Sequence, residues 1–145
     1  MRRILIVDDM LASREALARI LNGHGYETIQ AMNGAEALAL LKKNKIDLIL
    51  LDQMMPEVDG LTFLAGIRRF PKWKALPVIM FTGVKDRSCH SRAQGLDVKE
   101  FLVKGEYDPR ELIGLLEKYL NGDLAMAAAA AADGAFATSA ASKPV

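Results

Sequence analysis

Asp47-Leu48-Ile49-Leu50-Leu51-Asp52-Gln53-Met54-Met55-Pro56-Glu57-Val58-Asp59-Gly60 is the stretch whose reading decides the fold. Leu48 to Leu51 is a short, unbroken apolar run, the pattern of a strand buried on both faces. A carboxylate, Asp52, ends it, and a helical pattern begins just past Gly60, from Leu61 to Arg69. Working outward, Ile4 to Val7 and Val78 to Phe81 repeat the same run, and Phe101 to Val103 is a shorter fourth. Tyr26 to Ala31 mixes polar and apolar residues, as an edge strand does.

Helical patterns fill the intervals. Leu17, Ile20 and Leu21 recur at spacings of three and four. Asn33-Gly34-Ala35-Glu36 reads as a variant capping box ahead of Leu38, Leu40 and Leu41: Asn33 accepts from the first amides and Glu36 reaches back. Asp86 is a candidate cap for a fourth helix ending at Gly95. Asp108-Pro109-Arg110-Glu111 opens a fifth, with a cap, a proline in the first turn and an acid at the third position. Its apolar stripe is Leu112, Ile113, Leu115, Leu116, Tyr119 and Leu120. Five strands alternating with five helices imply an α/β fold with a parallel sheet covered on both faces. The expected form is a flavodoxin-like, doubly wound (βα)5 with strand order 2-1-3-4-5. Ligands of such sheets sit outside the carboxyl ends of the strands, where the strand order reverses.

The 145 residues suit one domain, with 51% apolar and 26% charged residues. Nineteen basic against 18 acidic residues leave a formal charge of +1, which argues against direct grip on nucleic acid. One cysteine, Cys89, excludes an internal disulfide framework and a cysteine-rich zinc site. The apolar run after Met1-Arg2-Arg3 is cut short by Asp8-Asp9, too short for a signal-peptide core or a membrane span. A cytoplasmic location, without membrane contact, is expected. Composition shifts near Gly122: residues 124–145 hold 11 alanines. The expected division is a domain over 1–122 and a mobile, alanine-rich tail over 123–145. In that tail Ala127 to Ala132 is helix-prone but short for an isolated helix, and a partner-docking helix is the alternative.

The polar residues that end the strands carry the chemistry. Asp8-Asp9, Asp52, Thr82 and Lys104 end strands 1, 3, 4 and 5, which are neighbours in the expected order. Three clustered carboxylates raise one another's pKa, and a hard divalent cation with oxygen preference relieves that. Metal, ammonium and hydroxyl together suit a phosphate-like dianion, and a carboxylate can serve as nucleophile.

Val7-Asp8-Asp9, the stretch 47–60, Phe81-Thr82-Gly83 and Phe101-Leu102-Val103-Lys104 resemble the receiver domain of two-component response regulators, of the stand-alone chemotaxis type. The resemblance covers about residues 1–121, and Asp-x-x-Met-Pro-x-x-Asp-Gly is its most specific part. It implies that Asp52 is the phosphoacceptor, taking a phosphoryl group from a histidine kinase. It implies Mg²⁺ held by Asp8, Asp9, Asp52 and the backbone carbonyl of Met54. Thr82 and Lys104 then contact the phosphoryl oxygens, and Phe101 is the aromatic switch. The implied partners are a histidine kinase or phosphotransfer protein and a downstream protein reading helix 4, strand 5 and helix 5. The alternatives are a phosphorelay intermediate and an aspartate-based phosphatase. The latter needs an aspartate two residues past the nucleophile, where Met54 stands, so the chain is expected not to be an enzyme acting on outside substrates. A flavodoxin-type flavin carrier is disfavoured, because Asp8-Asp9 is electrostatically wrong for a phosphate loop. Gly105 departs from the family's usual proline after the lysine, which suggests a looser loop. Gln53 and Met54 are placed to tune phosphoryl lifetime.

Other motifs have plainer readings. Cys89-His90 reads as helix surface. Gly23-His24-Gly25 follows a helix and not a strand, so it is no dinucleotide loop. Arg68-Arg69-Phe70-Pro71-Lys72-Trp73-Lys74 reads as a solvated helix end and loop, with contact to an acidic partner as the alternative. Met54, Met55 and Met80 read as core filler.

Overall fold

A computed structural model describes residues 1–83 and 87–133, with Arg87, Ser88 and the helix beyond Asn121 described as backbone alone. The elements are β1 (Arg3–Val7), α1 (Leu11–Gly23), β2 (Glu27–Ala31), α2 (Gly34–Lys43), β3 (Leu48–Asp52), α3 (Gly60–Ile67), a 3-10 turn (Pro71–Trp73), β4 (Val78–Thr82), α4 (Arg87–Arg92), β5 (Glu100–Val103) and α5 (Pro109–Asp133). The five strands form one parallel sheet in the order β2-β1-β3-β4-β5, the flavodoxin-like order expected. Two compact units divide the chain, Met1–Tyr107 and a second beginning at Asp108.

Within the first unit, the apolar runs bury alternate residues on the two sheet faces. Leu5, Val7, Ile49, Leu51, Val78 and Met80 join one buried cluster with Ala37 and Leu41 of α2, Leu64 and Ile67 of α3, and Cys89 of α4. Ile4, Ile6, Leu50 and Ile79 are equally buried on the opposite parity. Leu17 and Leu21 are the buried pair of α1, which packs on β1 and β2. β2 is the partly exposed edge that its mixed sequence suggests.

Local signals explain most boundaries. Asn33 Oδ1 accepts from the Glu36 amide at 2.8 Å, while Glu36 Oε1 accepts from the Met32 amide at 2.7 Å. The box therefore closes one residue ahead of the cap, not on the cap's own amide. Asp59 Oδ1 caps α3 through the Thr62 amide at 2.9 Å. The loop Gly23-His24-Gly25 ends α1, with Gly25 at φ 88°, which confirms that it follows a helix. α4 stops at Arg92, short of Gly95, and its expected cap Asp86 lies outside the described residues.

The second unit is α5. The Asp108 carboxylate accepts from the Arg110 amide at 2.8 Å, as the cap reading requires. Leu112, Ile113, Leu116 and Leu120 are buried, and Leu115 and Tyr119 are half-buried. The helix does not stop at Gly122: it runs on to Asp133. One glycine costs only about 1 kcal/mol in a helix, and the alanines beyond it are the best helix formers. The part of the expected tail from 123 to 133 is therefore helical, and 134–145 lie outside the described residues.

Three plain readings need correction. Cys89 is buried in the core and not on the surface, because α4 turns that face toward the sheet; His90, beside it, is exposed. Met54 is 68% exposed and is not core filler, whereas Met80 is fully buried and Met55 packs partly against the core. Arg68 is not a solvated helix end. Its guanidinium donates to the carbonyls of Trp73 (2.9 Å), Leu76 (2.7 Å), Leu96 (2.8 Å) and Asp97 (3.1 Å). Those carbonyls belong to two loops that a strand or helix could not satisfy, so one planar donor closes both. Arg68→Ala should lower unfolding stability by about 2–3 kcal/mol in urea titration, with Arg68→Lys recovering little, because an ammonium cannot span four carbonyls.

Candidate functional site

Sheet register builds the site. Val7 pairs with Leu51, so the next residues, Asp8 and Asp52, stand side by side although 44 positions apart. They flank the gap between β1 and β3, where strand order reverses. Thr82 is the buried last residue of β4 and pairs with Val103, and the Lys104 amide donates to the Thr82 carbonyl at 2.7 Å. Lys104 thus starts beyond the strand ends and its long stem reaches back. Its ammonium donates to Asp8 at 3.0 Å and to Asp52 Oδ2 at 3.0 Å.

Asp52 and Asp8 are only 2% and 4% exposed. Asp52 Oδ1 accepts from the Met54 amide at 3.2 Å, and Asp8 Oδ1 from the Met10 amide at 2.9 Å. Asp9 is exposed at the mouth, yet carboxylate oxygens of Asp8, Asp9 and Asp52 all lie within 4.8 Å of one another. Burial, and then the Asp8 charge, push the Asp52 carboxyl up to about 6 against the opposing pull of Lys104. Burial works against the Lys104 ammonium, but its bonds to Asp52 and Asp8 hold its pKa above the usual lysine value. The result is a strained set of like charges bridged by one cation, a hard-oxygen donor set that fits a divalent metal ion.

The floor of the site admits no side chain at position 60. A Cβ on Gly60 would lie 2.5 Å from the Asp52 carbonyl oxygen and 2.9 Å from Met80 Cε. Gln53, buried behind Asp52, accepts from the Leu61 amide at 2.8 Å and donates to Asp59 at 3.1 Å. Its side chain is committed to the turn into α3, so of the two residues expected to tune lifetime only Met54 faces solvent beside Asp52. Asp59 also pairs with Arg92 of α4 at 3.1 Å. Gly105 adopts φ 81°, a left-handed conformation that proline, locked near −65°, cannot take. The glycine is therefore the residue this turn requires, where the sequence suggested a looser loop.

Asp8, Asp9, Asp52 and Lys104 come together, the Met54 amide binds Asp52, and Thr82 ends the strand next to β3. Phe101 stands behind them on β5, half-buried and stacked on His90 of α4, with ring centroids 4.1 Å apart. Sequence reasoning missed Gln53 as a turn lock, His90 as the stacking partner of Phe101, and Tyr107. Tyr107 packs on Phe81 at 5.2 Å and lines a cavity of about 240 Å³ beside Asp8 and Lys104. Burial and the Asp8 charge raise its phenol pKa. Only the aromatic character of positions 81 and 107 signalled that contact.

The chain is an α/β domain with a buried carboxylate pair, an exposed third acid and a bridging lysine at the sheet's switch point. The chain belongs to the response regulator receiver domain family, whose match spans residues 4–117. It is 38% identical over 104 residues to the response regulator PleD of Caulobacter vibrioides, covering 70% of this chain and 22% of that protein. It is 38% identical over 104 residues to the sensor kinase/phosphatase CqsS of Vibrio cholerae, covering 71% of this chain and 15% of that one. The chain thus spans less than a quarter of the length of either relative. Among solved structures, the chemotaxis protein CheY4 of Vibrio cholerae superposes with TM-score 0.77 at 30% identity, over 83% of this chain and 99% of that one. The response regulator TrrA of Thermotoga maritima, in complex with Mg²⁺ and BeF, matches with TM-score 0.73 at 34% identity, over 83% and 100%. No described helix is long and apolar enough to cross a membrane.

Gly60→Ala should cost about 1–3 kcal/mol by thermal unfolding, since the clash is with backbone oxygen. The raised Asp52 pKa means that the folded state holds a proton more tightly than the unfolded state. Its contribution to stability is present below about pH 4 and is lost as pH rises through about 6. In EDTA, the difference in stability between Asp52→Asn and the parent should therefore grow in favour of the variant from pH 4 to pH 7, by roughly 2–3 kcal/mol. A flat difference across that window would contradict the burial argument.

Proposed function

We propose that the chain is a response regulator receiver that accepts a phosphoryl group on Asp52 and switches conformation to control a protein partner. The observation that carries this reading is the geometry around Asp52: a buried carboxylate next to Asp8, with Lys104 bridging both at 3.0 Å.

Asp8, Asp9, Asp52 and the Met54 carbonyl are the groups that would hold Mg²⁺, which when bound neutralises charge on the phosphoryl oxygens and the acidic pocket. The Asp52 carboxylate attacks phosphorus in line, and the phosphorus–nitrogen bond of a phosphohistidine donor breaks as the imidazole departs with the electron pair. Lys104 is already in the pocket, so it can exchange its contact with an Asp52 oxygen for one with a phosphoryl oxygen. Thr82, next to it on β4, supplies a hydroxyl to a second oxygen. The acyl phosphate so formed is a mixed anhydride, which suits a reversible signal. Self-catalysed uptake and loss of the group, without turnover of outside substrates, fit Met54 at the position where a phosphatase needs an acid.

A signal works only as far as the phosphoryl group favours one of two states. A shift from 1:99 to 99:1 needs about 5.5 kcal/mol of differential interaction, within reach of two charge-assisted contacts and one hydroxyl contact. Movement of Thr82 toward the phosphoryl group vacates space behind β4, and Phe101 is the ring placed to respond. We infer that a downstream protein reads α4 and β5, with α5 as the third expected part, and that the donor is a cytoplasmic histidine kinase or phosphotransfer protein. A phosphorelay intermediate uses the same chemistry and differs in passing the group on to a histidine.

With Mg²⁺ and radiolabelled acetyl phosphate, the parent should gain one base-labile phosphoryl group and Asp52→Asn none. Equal labelling of the variant would overturn the assignment. Lys104→Ala should still label, within about tenfold of the parent rate, but its β4 and β5 amide chemical shifts should no longer move on phosphorylation.

A further inference from the structure

A groove of about 750 Å³ lies between α2 and α3, on the helices and away from the residues of the phosphoacceptor site. Its walls are Leu38, Val58, Phe63, Ile67 and Phe70, with Arg69 as the charged residue among its lining. Phe70 is 50% exposed and Val58 is also exposed, so two large apolar groups stand open at its edges. Such exposure, contiguous with a groove, marks a contact surface rather than the scattered apolar residues of ordinary surface.

The lining positions 34, 35 and 38 on α2 and 62, 63, 66 and 67 on α3 recur at helical spacing. The groove therefore runs along α2 for about one turn and along α3 for about one and a half, and Arg69 and Phe70 extend it past the end of α3. Ala35 and Gly66 line it, both exposed, and a Cβ on Gly66 would meet nothing within 4 Å, so another backbone can come close there; Gly34 is instead filled by the Phe63 ring. That shape suits a helix laid into a groove, held by apolar anchors at i, i+3 or i+4 and i+7.

Charge says which helix. From Gly60 to Phe81 the chain carries Arg68, Arg69, Lys72 and Lys74 and no acidic residue. Arg68 is spent on loop carbonyls. Arg69, Lys72 and Lys74 are exposed and make no ion pair among the described residues, and Lys72 lies over the Trp73 ring at 5.5 Å. The end of the groove where α3 stops is thus cationic. We propose that this groove is a docking site for an acidic amphipathic helix of a partner protein, its apolar face against Leu38, Val58 and Phe70 and its carboxylates against Arg69 and the lysines that follow. This surface is separate from the α4–β5 side and does not depend on phosphorylation of Asp52.

The test is fluorescence anisotropy with the full chain and a labelled synthetic helix carrying leucines at i, i+3, i+4 and i+7 and glutamates on one flank. A second helix of the same apolar pattern carries lysines for the glutamates. The acidic helix should bind saturably, at least tenfold more tightly than the basic one. Arg69→Glu and Phe70→Ser should each weaken it at least tenfold with circular dichroism retained; the thermal midpoint should be unchanged for Arg69→Glu and fall by a few degrees for Phe70→Ser, whose ring packs on Trp73 at 5.4 Å. Asp52→Asn should leave it unchanged, so failure of the phosphoacceptor reading and failure of this one are distinguishable. No saturable binding, equal binding of the basic helix, or indifference to both substitutions would overturn the proposal. Concentration-dependent dimerisation that Phe70→Ser abolishes would assign the groove to a second copy of the chain and would overturn it equally.

Discussion

Two nearly buried carboxylates share one ammonium group. Asp8 and Asp52 sit side by side because parallel register puts Val7 opposite Leu51, and Lys104 holds both at 3.0 Å. In isolation each buried charge would carry a desolvation cost of several kcal/mol. Lys104 offsets only part of it, which is why the Asp52 carboxyl remains raised to about 6. The site is therefore held away from its electrostatic optimum, and any ligand that brings positive charge, or that converts Asp52 into a different group, relieves it. Responsiveness at this position follows from that stored imbalance.

The rest of the first unit serves to hold these groups still. Gln53 and Asp59 lock the turn after Asp52, and Gly60 lets α3 begin against the Asp52 carbonyl. Arg68 ties the end of α3 to the loops before β4 and β5. Gly105 gives the turn after Lys104 a left-handed residue. Thr82 ends β4, and Phe101 on β5 is half-buried and stacked on the exposed His90. Packed interiors of this kind change by discrete steps and not by gradual deformation.

The α2–α3 groove and the cationic segment after it stand apart from that apparatus. Fold and family are common to many proteins with different outputs, and function beyond the shared chemistry lives in such local surfaces. Phe70 and Arg69 belong to no part of the acidic pocket, yet together with Val58 they leave an apolar, positively flanked surface open.

Much of this was legible in the amino-acid order alone. Apolar runs broken by Asp8, Asp52, Thr82 and Lys104 specified the strands, the alternation with helices and the residues at the strand ends, because strand burial and cap chemistry are local and periodic. The roles of Arg68, Gln53, Cys89 and Met54 were not legible. Whether an arginine clasps carbonyls or meets solvent, and whether a methionine fills a core or stands 68% exposed, depends on neighbours distant in the chain. The course of α5 past Gly122 belongs to the same class, since one glycine signals a stop only when the residues after it do not favour helix. The order of residues thus settled which groups end the strands. Tertiary structure decided which of them share one ammonium group, because distances between strands are set by register and packing and not by position along the chain.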